Sequence, residues 1–489
     1  MDVTVVGSGP NGLTAAVICA RAGLKVQVVE AQPTFGGGAR TAPDPDSPGV
    51  LHDVCSAVHP LALASPFFAA FDLPARGVQL AVPEISYANP LPDRPAAIAY
   101  RDLERTCAEL ERGASWRRLL GPAVENSGAV VGLLLGDKRS MPDSLSAART
   151  LLRLGLRMLA QGTPAWGSLA GEDARALFTG VAAHVISRMP SLTAAGAGLM
   201  LATLAHSVGW PIPVGGSQAI TDALIADLRA HGGELTAGTE ITSPPGPPGA
   251  VVAFDTAPTA LLRIYGQAFP ALPDRYAKAL RRYTFGPGVA KVDFVLSEDI
   301  PWSDPRLGRA PTLHLGGSRE QMARAEADIA AGRHAQWPMV LAASPHIADP
   351  GRIDIVGRRP FWTYAHVPSG STVDATEAVT GVVERFAPGF RDIVVAARAV
   401  PAARLTDHNA NYVGGDIGMG GNSAWRAIAG PTPRLNPWST PIPKVYLCSA
   451  ATPPGGGVHG MAGYYAARTL LRREFGIDTL PKLGPKLTS

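Results

Sequence analysis

The amino-acid sequence predicts an α/β protein. One parallel sheet is assembled from three distant stretches, and a second, α+β part carries a mixed sheet and helices. Three observations lead there. Within the first thirty residues a buried strand, a glycine turn, a helix, a second strand and an acid follow in order. Residues 213–255 give a glycine turn, a helix and an apolar strand again. Near the end, Lys444–Ser449 reads as a strand that runs into Gly455-Gly456-Gly457 and then helical sequence. Strands that alternate with helices in this way build parallel sheets.

The chain has 489 residues, long enough to bury a large core without disulfide or metal staples. Hydrophobic residues make up 46% and charged residues 17%, which excludes a disordered chain. The net charge of +4 comes without a basic run interleaved with aromatics, so nucleic acid is not an expected partner. Four scattered cysteines (Cys19, Cys55, Cys107, Cys448) form no CxxC pair. They fit a reducing cytoplasm, and disulfide reduction is not expected. Strand-like sequence begins at Val3, which leaves no space for a signal peptide. The longest apolar stretch, Leu192–Ala205, is too short to span a bilayer and reads as a buried helix.

The opening motif assigns a task to each position. Val3–Val6 is a buried strand, and Gly7-Ser8-Gly9-Pro10-Asn11-Gly12 follows at once. Leu13 to Ala22 has helical periodicity, with Gly23 at the C-terminal cap position. Lys25–Val29 is a second strand, ending at Glu30 and Ala31. Gly7 permits the tight turn, Gly9 admits a pyrophosphate to the backbone, and Gly12 lets helix and strand pack closely. The helix N-terminus offers free N–H groups and the positive end of its dipole to phosphates. Glu30 is placed to accept the ribose hydroxyls and to repel a 2′-phosphate, which argues against NADP at this turn.

A second glycine cluster, Gly36-Gly37-Gly38-Ala39-Arg40-Thr41, begins six residues past Glu30. With it the chain resembles the two-dinucleotide-binding flavoproteins, in which such a stretch follows the ribose acid and runs beside the FAD diphosphate and flavin. Arg40 matches the arginine of that motif, and a planar cation suits a diphosphate. The run Ser449 to Gly463 resembles the closing flavin segment of the phytoene desaturase-like branch of NAD(P)/FAD-dependent oxidoreductases. There a strand delivers the chain to the flavin, and a helix starts beneath the pyrimidine edge of the ring. Donated N–H groups at that edge stabilise the negative charge of reduction. Family members use the 213–255 segment to add a helix and a strand to the same unit. Here the Pro244–Gly249 run stands in place of their longer hairpin.

The resemblance implies a discontinuous Rossmann-like FAD-binding domain (1–75, 213–261 and 436–489) and a substrate-binding domain (76–212 and 262–435). It implies cofactor contacts at Gly7, Gly9, Pro10, Asn11, Gly12, Glu30, Ala31, Gly37, Gly38, Ala39, Arg40, His59, Gly456, Gly457, Val458, His459 and Met461. In the substrate part, residues 172–206 read as helices, and Val289–Leu296 and Met339–Ala343 as strands. Arg149–Leu159 is amphipathic, with Arg149, Arg153 and Arg157 on one face and Leu152, Leu156 and Leu159 on another. Its first reading is a surface helix with the leucines in the core. The alternative is a helix lying in a membrane interface.

The candidate catalytic residues are His459, inside the last glycine motif, and Tyr412 and Asp416, in the glycine-dense 411–421 stretch. Tyr364 and His366 are weaker candidates. His52, Cys55 and His59 lack a fourth ligand and are not a metal site, so no metal is expected. One nucleotide fingerprint taken by FAD leaves no site for NAD(P)H. The expected activity is dehydrogenation or desaturation of an apolar or amphipathic small molecule, isoprenoid- or carotenoid-like, with hydride passing to flavin N5. Oxygen or a quinone then takes the electrons. The alternatives are an amine or amino-acid oxidase, or a non-catalytic prenyl-lipid carrier on the same architecture. The expected location is cytoplasmic, with peripheral membrane contact open.

Overall fold

A computed structural model describes residues 1–137, 145–164, 166–167, 169–246, 249–266, 272–420 and 426–485. Pro247, Pro248 and Gly421, each part of a motif read from the sequence, lie outside the described residues.

Val3–Val6, all four side chains buried, is the central strand of a five-stranded parallel sheet. The strand order is Val445–Leu447, Val251–Phe254, Val3–Val6, Val26–Val29 and Glu234–Thr236. The second strand in sequence pairs on one side of the first, and the later strands enter on the other. The order therefore reverses at the carboxyl end of Val3–Val6, where such sheets open a crevice for ligands. The first helix, Pro10–Arg21, begins there. It starts before the predicted Leu13 because Pro10, with its fixed φ and no N–H, suits a first helical position. Gly23 takes φ +87° just past its end. Helices Gln218–Ala230 and Met461–Phe475 pack on it and close one apolar core against the sheet.

A seven-stranded mixed sheet stands beside the first. Its order is Val394–Val400, Gly288–Leu296, Arg359–Val367, Val340–Ala343, Thr312–Leu315, Ile85–Leu91 and Arg94–Tyr100. Alternation sorts its side chains. Val292, Phe294 and Phe361 pack on one face with Val379, Val383 and Phe390. Leu341, Ala343, Trp362 and Tyr364 lie on the other with Tyr412 and Ile186. The sequence reading found the Gly288–Leu296 and Val340–Ala343 strands. It missed the Ile85–Tyr100 hairpin and the strands at 312–315, 359–367 and 394–400.

Helices Glu172–Ala182 and Leu192–Ser207 form a third layer, as the periodicity indicates. The arginine-rich helix spans Leu145–Gly162 and corrects its first reading. Leu154 and Gln161 are buried, while Leu152, Leu156 and Leu159 are 66%, 58% and 50% exposed. The three-leucine stripe points away from the core.

Candidate active site

The two sheets and the helical layer enclose an elongated cavity of about 980 Å³, at the upper end for ligand sites. The Gly7–Asn11 turn, Glu30 and Ala31, the Gly37–Arg40 cluster, His59 and the Gly455–Val458 loop all line it. Segments more than 400 residues apart thus converge on one space.

The first turn is built around a residue the sequence reading did not single out. Asp255 follows the Val251–Phe254 strand, and its Oδ2 accepts the Gly12 N–H at 2.9 Å. A Cβ on Gly9 would stand 2.5 Å from that oxygen, and one on Gly12 2.4 Å from the Gly7 carbonyl. Burial, with Glu30 as a neighbouring charge, pushes the Asp255 carboxyl up to about 7. Glu30 itself is oriented by its surroundings: Oε2 accepts from the Ser8 backbone (2.8 Å) and hydroxyl (2.7 Å), and Oε1 from the Gln32 N–H (2.9 Å). Arg40 donates to the carbonyls of Gly37 (2.8 Å) and His408 (2.5 Å) and to Thr34 Oγ1 (3.2 Å). Burial lowers its pKa from 12.5. No carboxylate forms an ion pair with it among the described residues, and Glu30 is the acidic charge that acts on it across the site.

His59 is held by a relay. Its Nε2 lies 2.7 Å from Ser217 Oγ, which donates to the Ser56 carbonyl at 2.5 Å. The hydroxyl therefore accepts, and Nε2 carries the proton. Burial pushes this histidine down to about 4, so it is neutral. Arg352, fully buried, anchors the same region through Asp53 Oδ2 (2.6 Å), Asp349 Oδ2 (3.2 Å) and the Pro213 carbonyl (3.0 Å).

The three catalytic candidates separate. Tyr412 lines the cavity and sits against the second glycine cluster, where a Cβ on Gly38 would come 2.3 Å from its hydroxyl. Burial raises its pKa well above 10, so at neutral pH it is a donor and not a base. His459 does not line the cavity. Its Nδ1 accepts the Met461 N–H at 3.0 Å and its Nε2 lies 3.1 Å from the Gly455 carbonyl, so both nitrogens tie its own loop. Asp416 does not line it either. Its oxygens accept backbone N–H groups of Gly286 (2.6 Å), Gly418 (2.8 Å) and Gly420 (2.7 Å), so it anchors a turn. Gly12 and Met461 stand behind the cavity wall. Cys55 lines the cavity with its pKa raised by burial, a poor nucleophile. No group of three or more metal-ligating side chains occurs among the described residues.

Fold and site together define an FAD-dependent oxidoreductase with a Rossmann-like dinucleotide-binding domain. A family model described as an NAD(P)-binding Rossmann-like domain matches residues 5–71. The chain is similar to pyridine nucleotide-disulfide oxidoreductase domain-containing protein 2 of Rattus norvegicus, 23% identical over 96% of this chain and 93% of that one. A stretch of 47 residues, 10% of each chain, is 53% identical to hydroxyneurosporene desaturase of Rhodobacter capsulatus. A solved putrescine oxidase variant shares the fold, with TM-score 0.61 and 15% identity over 97% of this chain and 99% of that one. The glycine cradle, Arg40 without an ion-pair partner among the described residues, and the volume of the cavity fit FAD.

Proposed function

We propose that the protein dehydrogenates an apolar or amphipathic small molecule and passes the electrons to oxygen or a quinone. One observation carries this reading. The charged side chains on the cavity wall among the described residues are Glu30, Arg40, Glu240, Asp255 and Arg263, all from segments around the five-stranded sheet. The wall formed by the helical layer and the seven-stranded sheet has none. A substrate ammonium or carboxylate would be desolvated there without a counter-charge, at high cost. This disfavours the amine and amino-acid oxidase alternative, although putrescine oxidase has the same fold.

The Gly7–Asn11 turn and Arg40 would hold the diphosphate, Glu30 and Ala31 the ribose, and Gly456–Val458 with His59 the flavin end. When bound, FAD supplies the hydride acceptor. The protein orients the substrate by apolar contact and excludes water, with Leu133, Met158, Leu192 and Met200 on that wall. Tyr412 keeps its proton and donates a hydrogen bond within the site. His459 and Asp416 hold loops and take no part in proton transfer. This reading divides the chain into the FAD-binding segments 1–75, 213–261 and 436–489 and the substrate-binding segments between them.

The purified protein should be yellow and bleach with dithionite. In anaerobic stopped flow, isoprenoids or other apolar donors should bleach it faster than amines, amino acids or NAD(P)H. Bleaching by NAD(P)H alone would refute the oxidase reading, and a colourless preparation that binds lipid would support the carrier.

The substrate reaches the site from a lipid surface. Met158 of the arginine-rich helix and Leu133 and Leu134 of Ser127–Leu135 line the cavity, while Leu152, Leu156 and Leu159 lie exposed beside exposed Arg149 and Arg153. An apolar stripe flanked by cations matches an anionic membrane interface. The protein should sediment with phosphatidylglycerol-containing vesicles more than with pure phosphatidylcholine. Replacing the three leucines by serine should reduce sedimentation at least about tenfold, since each buried leucine is worth ~1.5–3 kcal/mol. Equal sedimentation of the variant would refute this docking face.

A further inference from the structure

Three polar side chains on the uncharged wall, and a fourth behind it, call for a role. Thr312 and Trp362 are 1% and 3% exposed, and both line the cavity. Thr312 Oγ1 and Trp362 Nε1 have no hydrogen-bond partner among the described residues. Strand register sets them on one face: Thr312 pairs with Ala343, and Ala343 with Trp362. A buried indole N–H without a partner costs free energy unless a ligand satisfies it.

The third and fourth groups are His184 and His314. His184 lines the cavity, and its Nε2 lies 2.9 Å from Nε2 of His314. Two facing imidazole nitrogens need one proton between them. His314 is completely buried, and its Nδ1 has no partner. An idle lone pair there costs less than an orphaned N–H, so His314 carries its proton on Nε2 and donates to His184. The remaining proton of His184 then sits on Nδ1, which makes no hydrogen bond among the described residues. Burial pushes His184 down to about 3 and His314 well below its ordinary value, so both rings are neutral. His366 acts electrostatically on both rings and is held by Glu326 Oε1 at 2.5 Å, and the Tyr87 ring lies 5.2 Å from that of His314. The residue after the His184–Val185 turn, Ile186, takes φ +52°, a strained conformation for a β-branched side chain, and it also lines the cavity.

Resting on the apolar-substrate reading above, we propose that His184, Thr312 and Trp362 recognise an uncharged oxygen function, a hydroxyl or carbonyl, on the substrate. His314 acts as a positioning residue for His184. The donors are neutral and desolvated, and the charges near them are already paired: Lys291, 5.9 Å from the Trp362 ring, with Asp293, and Glu326 with His366. They suit a neutral acceptor and offer little to a carboxylate or an ammonium. A site with unpaired donors also rejects the hydrocarbon analogue that leaves them empty.

The test uses the flavin-loaded protein and one chain length: decanol, methyl octyl ketone, decyl chloride, decanoate and decylammonium. Binding is read from the perturbation of the flavin spectrum. Decanol and the ketone should bind at least about tenfold tighter than the other three. Trp362→Phe, Thr312→Val and His184→Phe should each shrink that preference several-fold and leave decyl chloride affinity unchanged. His184→Gln, which keeps a donor, should retain part of it, and His314→Phe should act like His184→Phe. Binding of all five probes without preference, tightest binding of decanoate or decylammonium, or variants that keep the wild-type preference would overturn the patch and leave the flavoenzyme assignment standing. Failure of every decyl probe to bind would overturn the apolar-substrate reading itself.

Discussion

Gly457→Ala is expected to weaken FAD binding by about tenfold to a hundredfold. Gly457 has φ +124°, a conformation that costs an L-residue ~1–3 kcal/mol. Its new Cβ would also stand 2.5 Å from Leu61 Cδ1, and Leu61 lines the same cavity. Relief would move either the loop or the leucine into the space of the ring. Flavin content after dialysis, read from visible absorbance, measures the loss. Gly23→Ala is the control. It has φ +87° with nothing within 4 Å of a new Cβ, and it lies outside the cavity wall. It should lower thermal stability by about 1 kcal/mol and leave flavin content unchanged. Full flavin retention in Gly457→Ala would remove this loop from the cofactor site.

Asp255→Asn is expected to change the pH dependence of both stability and cofactor affinity. The carboxyl sits beneath the first turn, bonded to the Gly12 N–H, with Glu30 as its charged neighbour. Its folded pKa of about 7 lies above the ordinary 3.8. The folded state therefore holds a proton that the unfolded state has released between about pH 4 and pH 7. Stability from this group is complete below pH 4, declines through that window, and is lost above about pH 7. The whole effect is on the order of a few kcal/mol. Asparagine keeps an acceptor for Gly12 and has no charge to lose, so the variant should show a flatter stability profile and gain on the wild type at pH 8. A bound diphosphate adds negative charge, so wild-type FAD affinity should also fall as pH rises through 7, and the asparagine variant should not follow. Parallel pH profiles for the two proteins, by thermal melts and by flavin titration, would refute the role of Asp255.

The sequence showed the five-stranded sheet well because its signals are local. Strand, glycine turn, helix and acid are neighbours in the chain, and hydrophobic periodicity with glycine spacing reports them directly. The last motif was legible for the same reason: its helix begins at Met461, only a few residues from the expected start. The seven-stranded sheet was harder to read. Strand 312–315 alternates Thr-Leu-His-Leu over only four residues, and 359–367 is almost fully buried with Thr363 and His366 on opposite faces, so neither run reveals which face meets the cavity. Asp255 was read as a strand end and nothing more, since its partner Gly12 is 243 residues away.

His459 and Asp416 carry the right chemistry in the right motifs, but hydrogen bonds with nearby backbone use up their atoms, and residue type does not report that. The leucine stripe at 152–159 shows the same limit: periodicity reveals that a face exists, while packing decides which way it turns. The sequence by itself determined the first glycine turn, the acid that ends the second strand and the two further glycine clusters, because each depends on backbone conformation over a few residues. Only the tertiary structure decided which polar groups stay unsatisfied on the cavity wall and that this wall is uncharged, because both depend on strands and helices brought together from distant parts of the chain.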